Sequence, residues 1–259
     1  MAHRSRIDLA AREIIGGKVM VNNAARNIVK GRTLVDNTYR DIFFGIPIGT
    51  LDVGETVLMD IDGKETEFLI VNQGNPDGSI YDASCDGTWL LAKNILEEKV
   101  IEPVSDMYYH GSNIHEYLNG DFLGLLDAGL QDTIIQAKIP DRTHDDDVLE
   151  KENGLSVKVF VLSLSELNFG ERPSVGSTLS YFDKGVSTFQ PNEHLIATLD
   201  GVAENWIVRS YSITGSHYIS IDTKGVFGNH DSERTVGIRP AMIVPFETRV
   251  TNTRHKIMG

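Results

Sequence analysis

The sequence predicts an α+β domain with many loops. Short apolar runs bounded by Gly, Asn and Pro indicate β-strands, because these three residues favour turns between extended segments. Elsewhere a serine precedes apolar residues spaced three and four apart, which indicates a capped amphipathic helix. The chain shows no internal repeat, so a solenoid or propeller is not expected.

Residues 56–71 form the first predicted element, a β-hairpin. Asp62-Gly63 separates two apolar runs and supplies the positive-φ residues that a tight hairpin turn requires. Residues 87–96, which include Trp89 and Asn94, follow as a buried strand.

Helices are predicted in the middle of the chain. Ser112 is the N-cap of an amphipathic helix over residues 112–119, and a second helical stretch covers residues 122–136. After a strand at residues 157–163, Ser163 and Glu166 have the spacing of a capping box that opens a short helix.

Two short strands near the end of the chain each carry one arginine. Trp206 and Arg209 belong to the first, and Gly237, Arg239 and Pro240 belong to the second. An arginine within an apolar strand most often satisfies a buried carboxylate or loop carbonyls, since its fork of donors can bind several acceptors. We therefore interpret both arginines as structural, and Trp206 as part of the core.

The two loops between these strands are the candidate binding surface. They are predicted at residues 211–218 and 226–235, and their mixture of aromatic and polar side chains is typical of binding surfaces. Ordinary surface loops explain the same composition equally well. The candidate ligand-binding residues are Tyr211, Ser212, His217, Tyr218, Asn229, His230 and Arg234.

Charge and composition divide the chain into an arm at residues 1–48, a body at 49–246 and a frayed tail at 247–259. Residues 1–40 hold eight basic and three acidic residues, a balance of +5, whereas the remaining 16 basic and 34 acidic residues give −18. The β-like pieces of the arm contain too few apolar residues for a core of their own, which predicts an extended arm that docks on a neighbouring subunit. An acidic body argues against nucleic-acid binding.

No apolar run is long enough to span a bilayer, and charges interrupt any signal-peptide core at the N-terminus. The sequence thus predicts a protein that is made in a cytoplasm and does not contact a membrane.

Five motifs in order resemble one family. They are residues 89–96, 114–122, 161–167, 206–210 and 237–241, and together they are similar to a widespread domain of bacterial and phage proteins with the C-type-lectin-like fold of formylglycine-generating enzymes. The resemblance covers about residues 50–246. It implies mixed or antiparallel sheets, short helices and long loops.

A second resemblance concerns the arm. Residues 27–36 and 39–42 look like the glycine-punctuated N-terminal pieces of virion proteins of tailed phages. This likeness implies a non-enzymatic virion component, forming a homo-oligomer or contacting other virion subunits, whose body recognises a glycan or protein on the host surface. A purely structural decoration or connector protein without a ligand is the first alternative, and a glycan- or cell-wall-modifying enzyme is the second.

Catalytic and metal-binding patterns are weak, and no cofactor is predicted. Acidic neighbours of Cys85, the only cysteine, disfavour its thiolate, and one cysteine cannot supply the pair that the resembling oxidases need. The run from His144 to Asp147, and His230 with Asp231 and Glu233, are possible cation sites. Both lack the spacing of a calcium loop, so solvated acidic loops are the preferred interpretation.

Overall fold

The computed structural model describes residues 17–21, 24–28, 30–35, 38–43, 45–101, 108–142, 147–170, 175–183, 191–211, 217–231 and 234–258, with the backbone alone at 17–43, 211, 217, 230 and 231. The first strands are β1 (Gly17–Val21), β2 (Ala24–Ile28), β3 (Lys30–Val35), β4 (Thr38–Phe43), β5 (Ile46–Pro47), β6 (Thr56–Ile61), β7 (Lys64–Gln73), β8 (Thr88–Ala92) and β9 (Glu97–Val100). Strands β10 (Ala137–Ile139), β11 (Asp141–Arg142), β12 (Val148–Leu149), β13 (Leu155–Val157), β14 (Val159–Phe160), β15 (Thr198–Leu199) and β16 (Val202–Ala203) follow. The last are β17 (Trp206–Tyr211), β18 (His217–Ile221), β19 (Phe227–Asp231), β20 (Thr235–Ile238), β21 (Ala241–Val244) and β22 (Arg249–Val250).

Helices are few and short within the described residues. The α-helices are α1 (Asn113–Tyr117), which continues into the π-helical turn Leu118–Phe122, and α2 (Ala128–Thr133). Strands hold 37% of the residues, so the protein is mainly β. The prediction of an α+β, C-type-lectin-like fold class is therefore wrong.

The helical predictions failed in part because polar side chains end or replace helices. Ser112 caps α1 as predicted, accepting the His115 amide at 3.1 Å. The stretch predicted at 122–136 is divided, however, because the Asp127 carboxylate accepts the Leu130 amide at 2.9 Å and starts α2 there. The pair Ser163 and Glu166 makes both reciprocal capping-box bonds, at 3.2 and 3.0 Å, but the segment that follows forms turns and no helix.

Two five-stranded sheets form the framework of the body. One has the order β14-β21-β8-β7-β6, and the other has the order β19-β18-β17-β20-β9. The hairpin β6–β7 turns at Asp62 and Gly63, whose φ angles of 49° and 74° confirm the predicted turn. Strand β8 is buried along its whole length and carries Trp89 at 0% exposure, so the buried strand predicted at 87–96 is confirmed over residues 88–92.

The second sheet contains one parallel pair. Strands β17 and β20 meet in parallel at Trp206 and Gly237, whereas the other pairs of this sheet are antiparallel. A Cβ at Gly237 would lie 2.7 Å from the Asn205 carbonyl oxygen, so this close approach requires glycine. The two arginine-bearing strands of the sequence are thus direct neighbours, with β18 and β19 in the connection between them.

The C-terminal residues are packed against the body, so the predicted frayed tail at 247–259 is wrong. Strand β22 pairs with β5, and Val250, Ile257 and Met258 are 0%, 4% and 7% exposed. The Ile257 amide also donates to the Leu58 carbonyl oxygen at 2.8 Å, which joins this segment to β6. The apolar residues that look isolated in sequence bury themselves against the edge of the first sheet.

The N-terminal strands form two hairpins. Strand β1 pairs with β2 and β3 pairs with β4, each pair as a two-stranded sheet. The body starts a few residues earlier than the predicted Gly49, because β5 pairs with β22 and Ile48 is fully buried. The arm therefore consists of paired strands in its described parts.

Candidate functional site

A buried ion pair lies at the centre of the polar network of the body. Arg209, on β17, donates to the two carboxylate oxygens of Glu166 at 2.6 and 2.5 Å, and both side chains are 0% exposed. Its remaining donors reach the carbonyl oxygens of Val161 at 2.9 Å and Pro140 at 3.2 Å. Burial acts to lower the pKa of Arg209, but the adjacent Glu166 carboxylate outweighs it and raises the pKa above its ordinary value.

Tyr81 extends this network from the ion pair toward a surface loop. Its hydroxyl donates to Glu166 Oε1 at 2.9 Å and accepts the Ser177 amide at 3.0 Å. Burial, reinforced by the Glu166 charge, raises the pKa of Tyr81 well above its ordinary value, so this hydroxyl remains protonated. Glu166 thus holds the 163–166 turn, Arg209 and the Ser177 loop together.

Arg239 also connects buried backbone, but with a different set of partners. Its guanidinium donates to the carbonyl oxygens of Ala92 at 2.7 Å and Lys93 at 3.1 Å, and lies 4.9 Å from the ring centroid of Trp206. The residue is 1% exposed, and among the described residues no carboxylate pairs with it. Burial lowers the pKa of Arg239 to about 10.

The other motif residues have structural contacts. The indole N–H groups of Trp89 and Trp206 donate to the carbonyl oxygens of Cys85 and Leu195, at 3.0 and 2.8 Å. The remaining contacts join Asn94 Oδ1 to the Thr198 hydroxyl at 3.0 Å and the Pro240 carbonyl oxygen to the Ala92 amide at 2.8 Å. These residues hold the two sheets and the loops between them in place.

The candidate binding residues lie on strands more than on loops. Strand β17 extends to Tyr211, and β18 and β19 include most of the others, so the predicted loops are shorter than expected. Register places Tyr218 opposite both Tyr211 and His230, and His217 opposite Asp231. The described parts of the two predicted loops are therefore brought together on the adjacent strands β17, β18 and β19.

Exposure separates these candidates. Tyr218 is 4% exposed and belongs to the hydrophobic core, so its assignment as a surface contact is wrong. Asn229 and Arg234 are exposed. Ser212 and Glu233 lie outside the described residues, as do the side chains of Tyr211, His217, His230 and Asp231.

A His–Asp pair that the sequence did not reveal lies beside the ion pair. His110 Nδ1 is 3.1 Å from Asp141 Oδ2, and their side chains are 39% and 2% exposed. The His110 ring stacks on Tyr108 with an interplanar angle of 13°. A buried carboxylate in this position fixes the orientation of an imidazole at the surface. The two residues are 31 positions apart, and neither lies in a local motif that could have indicated the contact.

His115, on α1 near this pair, makes stability depend on pH. Burial lowers the pKa of His115 below 6.5, whereas Asp141 acts to raise it. Between the lowered pKa and the ordinary one, the unfolded chain binds a proton that the folded chain does not, so stability falls as the pH drops through this window and is constant above it. We expect His115→Phe to reduce this loss, as measured by urea unfolding at neutral and mildly acidic pH. An unchanged difference between the two pH values would contradict the assignment.

A surface cavity of about 340 Å³ lies at the other end of the polar network. Its lining combines the hydroxyl residues Ser165, Ser177 and Thr178 and the amide of Asn168 with Ile80, Phe169 and two glycines. Each of these described lining side chains is neutral.

Metal and thiol chemistry find little support in the described part of the chain. No group of three or more His, Cys, Asp or Glu residues could hold a metal ion there. Residues 143–146 of the candidate cation loop lie outside the described residues, and Asp147 is exposed. Burial raises the pKa of Cys85 to about 12, and its Sγ contacts the Lys138 carbonyl oxygen at 3.3 Å.

Residues 86–246 match a family described as a domain of unknown function, DUF6273. The chain belongs to the DUF6273 family. No curated protein and no solved structure matches it. The DUF6273 region contains both arginine-bearing strands, the Arg209–Glu166 pair and the His110–Asp141 pair, so the whole connection from β17 to β20 is within the family domain.

None of the described helices is long and apolar enough to cross a bilayer.

Proposed function

We propose that the chain is a non-enzymatic structural component of a larger particle such as a tailed-phage virion, attached through its N-terminal hairpins. The observation that carries this proposal is the contrast between the two parts of the chain. Strands β1 to β4 form two separate two-stranded hairpins, whereas the body has two five-stranded sheets around its own hydrophobic core.

The hairpins need a further surface for stability. An isolated two-stranded hairpin is at best marginally stable in water, since only packing against other elements buries enough apolar area. The basic balance of residues 1–40, +5 against −18 for the rest, makes the acidic body of a neighbouring copy a suitable partner. This argument favours a homo-oligomer or an attachment to another acidic subunit.

The body is suited to presenting a binding surface, because its motif residues stabilise the fold. The side chains of Glu166 and Arg209 are fully buried, as is Trp206, and Arg239 is 1% exposed. The exposed polar residues of the β18–β19 hairpin, such as Asn229, are accessible for contact with a glycan or protein of the host surface.

The experiment compares the full chain with a variant in which Lys30, Arg32 and Arg40 are changed to Glu. We expect the full chain to assemble into oligomers whose mass, measured by light scattering, falls with increasing salt, because surface charge attraction is screened. The variant should remain monomeric with an unchanged melting temperature of the body. The matched control changes three basic residues of the body, Lys64, Lys151 and Lys224, to Glu. Assembly that is indifferent to the charge of the arm would overturn the proposal.

A further inference from the structure

We propose that the cavity beside Ser177 binds one ring of a neutral carbohydrate, which names the ligand class of the recognition role and rests on the proposed function. The site differs from the β18–β19 surface that the sequence indicates. It is formed by the loop at residues 165–170, the loop at 176–178 and Ile80.

The size and charge of the cavity select the ligand. At about 340 Å³ it is at the small end of ligand sites, which span about 300–1,000 Å³, so a single ring fits better than an extended molecule. The lining side chains that the structure describes are neutral, and the chain carries a net charge of −13, so an anionic ligand gains no counter-charge from these residues. Hydroxyl and amide groups beside Phe169 and Ile80 match a molecule with both hydroxyl groups and apolar C–H faces.

One wall of the cavity is held rigidly by the buried ion pair. A Cβ at Gly176 would lie 2.4 Å from Tyr81 Oη, and Gly176 has a φ of 112°, so only glycine fits at this position. The next amide, that of Ser177, donates to the same hydroxyl, which in turn donates to Glu166. A wall fixed before binding loses little conformational freedom when a ligand enters.

Other lining groups of the cavity have weak internal hydrogen bonds. The Thr178 hydroxyl is 3.4 Å from Asn168 Oδ1 and 3.3 Å from the Ser165 carbonyl oxygen, both longer than a strong hydroxyl bond. A ligand hydroxyl can therefore replace these contacts with shorter ones. Phe169 is held in place by an edge contact with Phe227, with ring centroids 5.1 Å apart.

The test uses the full chain and ligand-observed NMR with three probes: glucose, N-acetylglucosamine and the anionic glucuronate. We expect a neutral sugar to bind in the millimolar range and glucuronate to bind more weakly. Ser177→Phe fills the cavity and should weaken binding by about tenfold or more, which corresponds to about 1.4 kcal/mol. Thr178→Val preserves side-chain shape but removes the hydroxyl, and should also weaken binding. The matched control is Thr223→Phe, at an exposed turn position, which should bind as the parent does.

The outcomes separate this inference from the proposed function. If the chain assembles through its arm but binds neither neutral sugar, or binds one with the same affinity in Ser177→Phe and Thr178→Val, the cavity assignment is overturned while the assembly role remains. If the sugar binds in the cavity but the charge of the arm does not affect assembly, the proposed attachment fails and the binding site stands. Melting temperatures of all variants show whether each one is folded.

Discussion

Arg209→Met is expected to destabilise the protein by about 3–5 kcal/mol, because it leaves the Glu166 carboxylate buried without its cation. Both side chains are 0% exposed, so water cannot replace the lost partner. In a chain of this size the loss corresponds to a fall in melting temperature of roughly 10 °C. Chemical denaturation and thermal melting measure the effect directly.

The matched control makes the same substitution in an exposed pair. Arg254 donates to Glu65 at 2.7 Å, but its side chain is 62% exposed, so Arg254→Met should lower stability by less than about 1 kcal/mol. Adding Glu166→Gln to Arg209→Met removes the buried charge while preserving an acceptor, and should recover part of the loss. Equal effects of Arg209→Met and Arg254→Met would show that burial of the pair does not determine its contribution.

Removal of residues 248–259 is expected to destabilise the body by roughly 5 kcal/mol or more, since a buried Val, Ile or Met contributes about 1.5–3 kcal/mol each. Val250, Ile257 and Met258 are at most 7% exposed, and the segment pairs with β5 and with β6. This loss is comparable to the whole stability of many domains, so we expect a largely unfolded product by circular dichroism.

Point substitutions resolve the same effect more finely. Ile257→Ala should cost about 2–5 kcal/mol, as for other buried isoleucines. Thr253→Ala, at an exposed position in the same segment, should change stability by less than about 0.5 kcal/mol. A frayed tail would instead tolerate both substitutions and the truncation without measurable change.

The strands could be predicted because their signals are local. Asp62-Gly63 between two apolar runs specifies a hairpin whatever the rest of the chain does, and the apolar run around Trp89 can only be buried. Ser112 likewise caps α1 through a bond to an amide three residues away. Each of these predictions depends on residues within one short window.

The failures involve contacts between distant segments. Val250 and Ile257 look like part of a polar tail until β5 and β6 supply the surface that buries them. Glu166 makes its capping-box bond, but it lies in a segment of turns and also binds Arg209, 43 positions away. The error in the fold class has a different, local reason, because the cap at Asp127 interrupts the helical periodicity at 122–136 through a bond to the Leu130 amide.

The candidate site was predicted least well. The cavity joins Ile80 to the loops at 165–170 and 176–178, and the His110–Asp141 contact spans 31 positions, so neither appears as a motif. The segments predicted as loops at 211–218 and 226–235 lie mostly in strands β17, β18 and β19 where they are described, because their pairing depends on a partner that the local pattern does not identify. Burial of Tyr218 follows from that pairing.

The parallel contact of β17 with β20 has a consequence for how such a chain can evolve. A tight turn cannot join parallel strands, so a long connection between Trp206 and Gly237 is required, and this connection contains β18 and β19. The register of the sheet depends on the two ends of this connection, which leaves exposed turn positions such as Thr223 free to accept substitutions. Selection can thus change the exposed side chains of this connection, and with them its binding partners, while the rest of the protein still folds.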